Sequence, residues 1–256
     1  MLLEPTITKL NEMKLNGMAE ALEEQRRSPQ TATWSFEDRL AMLVERQWLW
    51  KENRALKTRL RFAKLRQVAC LEDIDYRHHR GLQRGVIDQL AAGDWIAYSQ
   101  NCIITGATGL GKSYLACALA QKACRDDCRT LYYYAPRLFR DLLAAQADGS
   151  YPSLLKKLAR TRLLVVDDWG MEKASPAQYR DFLEIIDERQ GTGSTLITSQ
   201  YEPDCWHELI RDSTVADAIL DRLIHNAHHI KLKGEESIRK AKGIKKDSLP
   251  PSRQAE

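Results

Sequence analysis

No run of about 18 apolar residues occurs in the 256-residue chain, which argues against a membrane span. The opening Met1-Leu-Leu-Glu-Pro-Thr lacks the basic and apolar stretches of a secretory leader. Only six cysteines are present, at 70, 102, 117, 124, 128 and 205, and no two stand as Cys-x-x-Cys. A zinc ribbon and a disulfide framework are therefore not expected, and the reading is a cytoplasmic protein in a reducing compartment. No internal repeat is legible. Excess charge is also scarce, since 39 Lys and Arg against 35 Asp and Glu leave a net +4.

What is there reads as globular. The chain is 43% hydrophobic and 29% charged, close to average for a folded domain, and its length suits one or two domains. The small net charge hides an uneven distribution. Arg39 to Arg66 holds nine basic residues against two acidic, a local net of +7, and the segment from Lys231 onward holds eight against four. The remainder is acidic. Two basic ends on an acidic body fit a polyanionic partner, the plainer alternative being solvated faces and a loose tail.

Periodicity divides the chain. Ile7, Leu10, Leu15, Met18 and Leu22 recur at helical spacing until Ser28-Pro29, and Ser35 with Asp38 resembles a capping box opening a second helix. Further along that helix, Leu49, Leu56, Leu60 and Ala63 fall within an arc of about 60°. Arg46, Arg54, Lys57, Arg61 and Lys64 form a basic stripe beside it, placed to follow DNA phosphates. Leu40, Leu43 and Val44 are out of phase, so a bend or break is expected near Gln47. The expected organisation is a helical domain over 1–68, a polar connector over 69–93, a core over 94–233 and a basic, partly disordered tail over 234–256. In the core, short apolar runs starting at Cys102, Thr130, Leu163, Thr195 and His228 alternate with helical stretches. That alternation predicts an α/β fold with a five-stranded parallel sheet.

Between the first strand and its helix stands Gly106-Ala107-Thr108-Gly109-Leu110-Gly111-Lys112-Ser113. The glycines permit a tight loop whose N–H groups, with the helix N-terminus, face a polyphosphate. Lys112 would reach the outer phosphates, and Ser113 would place its hydroxyl on Mg²⁺. The third strand runs into Asp167-Asp168, at the end of the sheet where ligands bind in open α/β folds. Asp167 is the expected Mg²⁺ partner through its water shell, and Asp168 is placed to polarise an attacking water. The plainer readings are a glycine-rich turn and a strand-closing Asp-Asp.

These motifs, with Thr-Ser-Gln200, Lys14-Leu-Asn-Gly17, Leu90-Ala-Ala-Gly-Asp-Trp95 and Ala218-Ile-Leu-Asp-Arg222, resemble an AAA+ P-loop ATPase of the helicase-loader clade. The chain is most similar to the IstB-type transposition helpers of insertion sequences, and the likeness covers nearly its whole length. The resemblance implies a helical N-terminal domain, an AAA+ core, the cofactors ATP and Mg²⁺, ATP-dependent homo-oligomers on double-stranded DNA and a transposase partner. It implies that Gln200 orients water or the γ-phosphate, and that Arg222 is an arginine finger acting on a neighbour's ATP. An ion pair of Arg222 with Asp217, Asp221 or a neighbour is the plainer alternative. Asp168 stands where most of the family has Glu, one methylene longer. Lys156 and Lys157, before the third strand, fall where this clade places a helix toward DNA.

With about two dozen residues after the fifth strand, the usual three-helix lid is not expected, and Arg239 is a weak match to the second sensor. The absence of Asn-Lys-x-Asp favours ATP over GTP. His225, His228 and His229 lack a cysteine at ligand spacing, Tyr132 to Tyr134 read as core packing, and Trp48 and Trp50 as contacts to a partner or the core. Two other functions share these motifs: a replicative helicase loader, and a small-substrate P-loop kinase.

Overall fold

The computed structural model describes residues 3–77 and 80–234. Arg239 and the tail from 235 onward lie outside the described residues. The chain divides into two compact units, Met1–Arg61 and Phe62–Glu256.

The first unit is helical, with α1 (Leu3–Glu12), α2 (Asn16–Arg27) and most of α3 (Phe36–Ala63). Gly17 lies where α2 meets α3. A Cβ there would come within 2.7 Å of Arg46 O and Trp50 Cβ, so the approach requires glycine. The expected break near Gln47 is absent, and α3 runs unbroken for 28 residues. The phase changes because Gln47 is itself buried in the seam, where its Oε1 accepts the Met18 N–H at 3.2 Å. Leu40 and Val44 face outward, 42% and 54% exposed. Ser35 forms half of a capping box: its hydroxyl accepts the Asp38 N–H at 3.1 Å, and it donates to the Asp38 carboxylate.

The second unit holds the remaining elements: α4 (Arg84–Ala91), α5 (Asp94–Ala97), β1 (Asn101–Thr105), α6 (Lys112–Arg125), β2 (Thr130–Tyr134), α7 (Ala135–Asp148), α8 (Tyr151–Ala159), β3 (Leu163–Trp169), α9 (Pro176–Arg189), β4 (Ser194–Ser199), α10 (Trp206–Ile210), α11 (Ser213–Ile224) and β5 (Ala227–Lys231). The five strands pair in parallel in the order β2-β3-β4-β1-β5. Side chains alternate between the two faces, as the period of a strand requires. Cys102, Ile104, Leu163, Val165 and Leu196 pack with α6 on one side. Ile103, Leu164, Val166 and Ile197 pack with α7, α9 and α11 on the other. Residues 69–93, read from sequence as a polar connector, contain α4 and bury Ala69, Ile74, Ile87 and Leu90 in the α6 face. Their few apolar side chains are spaced to cover that face while the charged ones stay in water.

β3 extends beyond the apolar run. A register shift between Val166 and Trp169 interrupts its pairing with β4, and the strand resumes at Trp169. Trp169 is buried among Phe139, Tyr179, Phe182 and Trp206, with ring centroids 4.5 to 5.8 Å apart. Such aromatic pairs contribute roughly 0.5–1.5 kcal/mol each beyond burial, enough to pin the strand where it resumes after the irregularity.

Candidate functional site

The carboxyl ends of β1, β3 and β4 open onto a cavity of about 590 Å³, within the usual range for a small-molecule site. Thr108, Gly109, Gly111, Lys112 and Ser113 line it from the loop after β1, Asp168 from β3 and Gln200 from the end of β4. Three segments far apart in sequence thus meet at one place.

The loop after β1 needs glycine for two reasons. At Gly106 (φ 143°) a Cβ would lie 2.5 Å from Leu232 O, because the chain leaving β5 crosses there. Gly109 and Gly111 adopt φ near 90°, which L side chains rarely take. Gly111 caps α6, so the positive end of that helix opens into the cavity. Lys112 Nζ donates to the carbonyls of Gly106 and Ala107 at 2.7 and 3.0 Å. The ammonium is therefore folded over the loop, on the ground a phosphate would take.

The two carboxylates have different surroundings. Asp167 is completely buried. Its Oδ1 accepts from the Thr198 hydroxyl at 2.5 Å, and its Oδ2 from the Tyr132 phenol at 2.6 Å. Burial and the neighbouring Asp167 charge push the Tyr132 phenol up, which keeps it a donor. Asp168 lies inside the β3 irregularity with φ 59°, and its N–H donates to Thr198 Oγ1 at 2.9 Å. The irregularity turns its side chain into the cavity while Asp167 points into the sheet. Burial, and after it the charge of Asp167, raises the Asp168 carboxyl above its ordinary value, against the opposing pull of Arg66 and Lys112.

The donor set fits a nucleotide polyphosphate with a divalent cation. A glycine cradle, an ammonium, a hydroxyl at the first turn of α6 and two adjacent carboxylates are the oxygen ligands and anion donors such a pair requires.

Arg222 is elsewhere. It lines a second cavity with Ser99, Asn101, Gly193 and Thr195, at the opposite ends of β1 and β4 from the glycine loop. It pairs with Asp187 of α9, and its Nη1 donates to Ala218 O at 2.9 Å. Neither Asp217 nor Asp221 is the partner the structure gives it. Arg54, Lys57 and Arg61 are exposed on the α3 portion of the first unit. In the second unit, Lys64 and Lys157 lie close enough to repel: burial first, then Lys64 and Arg129, lower the Lys157 ammonium. Arg129 stacks over Phe62 at 4.2 Å, and Lys157 Nζ lies 5.8 Å from the same ring. Lys156 is exposed on α8, next to Lys157 in the chain.

Several site residues had no sequence signal. Tyr132 and Tyr134, read as packing, contribute respectively a hydrogen bond to Asp167 and a cavity wall. Arg66 reaches both carboxylates. Buried Arg80, which lines the same cavity, donates to Leu110 O at 3.0 Å and Asp75 O at 3.2 Å, tying the glycine loop to the segment at Asp75. Each sits in a charged or aromatic stretch that gives no hint of its target.

Comparison with known proteins agrees with this geometry. The family model described as IstB-like ATP binding protein matches residues 8–246. A protein of Sinorhizobium fredii named as the insertion sequence ATP-binding protein y4pL is 50% identical over 92% of this chain and 96% of its own. The protein of Pseudomonas aeruginosa named as the insertion sequence IS21 ATP-binding protein is 30% identical over 98% and 95%. Among solved structures, DnaI superimposes with a TM-score of 0.57 at 24% identity, over 66% of this chain and 92% of that one. The replication initiator DnaA, bound to AMPPCP and single-stranded DNA, gives 0.58 at 18% identity, over 69% and 53%. These two likenesses show a shared fold. The chain belongs to the IstB-like ATP-binding family of insertion sequences.

Proposed function

We propose that this ATP-binding protein is an ATPase that assembles on target double-stranded DNA without sequence preference and recruits or stimulates the transposase of its insertion sequence. ATP hydrolysis then controls the assembly. The observation that carries the reading is the convergence of Lys112, Ser113, Asp168 and Gln200 on one cavity.

In this reading the loop N–H groups and the α6 N-terminus hold the phosphates, and Lys112 leaves the Gly106 and Ala107 carbonyls to meet the outer ones. Ser113 and Asp167 would hold Mg²⁺, which supplies charge neutralisation across the phosphates when bound. Asp168 accepts a proton from the attacking water, its raised carboxyl placing it nearer to a useful base. Gln200 orients that water. Arg222, at the far end of its own sheet, acts on the nucleotide of an adjacent copy.

Two surface features support the partners. Lys64, Arg129, Lys156 and Lys157 gather around Phe62 and α8, a concentration of cations suited to DNA phosphates. On the first unit, Phe36, Leu40, Val44 and Trp48 recur every four residues of α3 and are 42% to 73% exposed, a row suited to a protein partner. Among the described residues no helix is long and apolar enough to cross a membrane.

The test measures ATP binding and DNA retention together. Lys112→Ala is expected to lose ATP binding and ATP-dependent retention on DNA while its circular dichroism stays native. Unchanged nucleotide affinity in a folded variant would refute the assignment.

A further inference from the structure

Arg66 is a cation of the nucleotide cavity that the phosphate chemistry leaves unused. It follows the end of α3 by three residues, just past a left-handed turn at Lys64 (φ 52°). Its Nη1 lies 3.4 Å from Asp167 Oδ2 and 3.3 Å from Asp168 Oδ2. One guanidinium nitrogen thus bridges both carboxylates. The guanidinium carbon lies over the Tyr134 ring, 5.6 Å from its centroid, a cation–π contact.

We propose that Arg66 is a built-in counter-ion for the Asp167–Asp168 pair, which competes with the divalent cation that accompanies ATP. Loading of the nucleotide expels it and displaces the segment leading back into α3. The inference rests on the reading of Asp167 as the cation-holding residue.

Geometry and chemistry both support competition. Two carboxylates adjacent in sequence and shielded from water repel unless a positive charge lies between them. Arg66 supplies that charge, and a divalent cation held by the same carboxylates would have to replace it. It lines the same cavity as Lys112, Ser113 and Gln200, so an incoming nucleotide meets it directly. Asp167 is completely buried with Arg66 in place, and Arg66 approaches it from the cavity wall. Displacing the guanidinium is what opens that carboxylate to a cation. The side chain is 49% exposed and its two contacts are at the long end of hydrogen-bond distances, so it can swing into water without leaving a void.

The test uses the full chain and Mn²⁺ as the probe, followed by electron paramagnetic resonance at saturating non-hydrolysable ATP analogue. Arg66→Ala should tighten Mn²⁺ binding about tenfold, and Arg66→Lys, which keeps the charge but not the planar fork, by less. The Arg66→Ala protein should melt earlier than wild type without ligand and alongside it with Mn²⁺ and analogue. In wild type, hydrogen exchange over residues 62–68 should rise when both are added. Equal Mn²⁺ affinity in wild type and both variants overturns the proposal, as does unchanged exchange in that segment. Weaker analogue binding by Arg66→Ala in EDTA also overturns it, since Arg66 would then be a phosphate ligand. If Asp167→Asn leaves Mn²⁺ binding intact, the cation-site reading has failed and this inference falls with it. Should Arg66→Ala not fold, Arg66→Lys carries the comparison.

Discussion

Asp168 holds a left-handed backbone conformation that costs a non-glycine residue of order 1 kcal/mol or more, although Asp and Asn tolerate it better than most. The chain keeps it there because the β3 irregularity and the Thr198 hydroxyl fix its amide. Strain at this residue is matched to its proposed role, since a relaxed strand would turn the carboxylate away from the cavity. Asp168→Asn retains the shape and the backbone tolerance but cannot take a proton. It should bind ATP normally and hydrolyse it about 10²-fold more slowly, with longer residence on DNA. Single-turnover hydrolysis beside equilibrium ATP binding checks this, and normal turnover would remove Asp168 from the base role. The Gly106–Ser113 motif stands in consecutive residues and is therefore legible in the sequence, whereas the close approach of Leu232 O that Gly106 permits is not. Nor are Arg66 and Arg80, because the first finds its partners about a hundred positions away and the second reaches the loop thirty positions on.

At the scale of elements, α3 shows how a pattern misleads. Its apolar positions change phase at Gln47, which reads as a bend, yet the helix is continuous because a polar side chain takes the seam position and bonds to α2. Gly17 on α2 faces that same stretch. Gly17→Ala would drive a methyl into backbone that cannot yield, and should destabilise the first unit by about 1–3 kcal/mol. Lower exchange protection in α2 and α3, with the second unit unaffected, is the expected result; full protection would show that glycine is not required where α2 meets α3. Around α8, the cations of Lys64, Lys156 and Lys157 gather on the second unit, whereas Arg54, Lys57 and Arg61 belong to the first. Replacing Lys64, Lys156 and Lys157 by Gln should reduce the slope of log K against log salt by roughly 0.9 for each DNA phosphate no longer neutralised. An unchanged slope would place the DNA path elsewhere.

For the whole molecule, the separation of Arg222 from the glycine loop is the deciding feature. They lie at opposite ends of one sheet, so a catalytic contribution from Arg222 requires a second copy. The pair with Asp187 must open for it, since the guanidinium is engaged within its own chain. Arg222→Ala should bind ATP and lose about 10³-fold in hydrolysis. Mixed with Lys112→Ala, it should recover part of the activity, one chain supplying the pocket and the other the arginine. If mixed oligomers form by light scattering and stay inactive, Arg222 has no role in trans.

Consecutive residues determined the parallel α/β core, the glycine loop after β1 and the acidic end of β3, because strand period, turn glycines and helix starts are short-range demands. The family resemblance followed from those same stretches. Tertiary structure decided which side chains complete the site. Tyr132 and Thr198 reach Asp167 because β2 and β4 flank β3 in the sheet, an order that no local pattern encodes. It also turned the apolar residues of 69–93 into part of the core, since periodicity shows that a face is apolar but not what will cover it. Long-range pairing is selected by the fit of whole surfaces, and that fit exists only once the chain has folded.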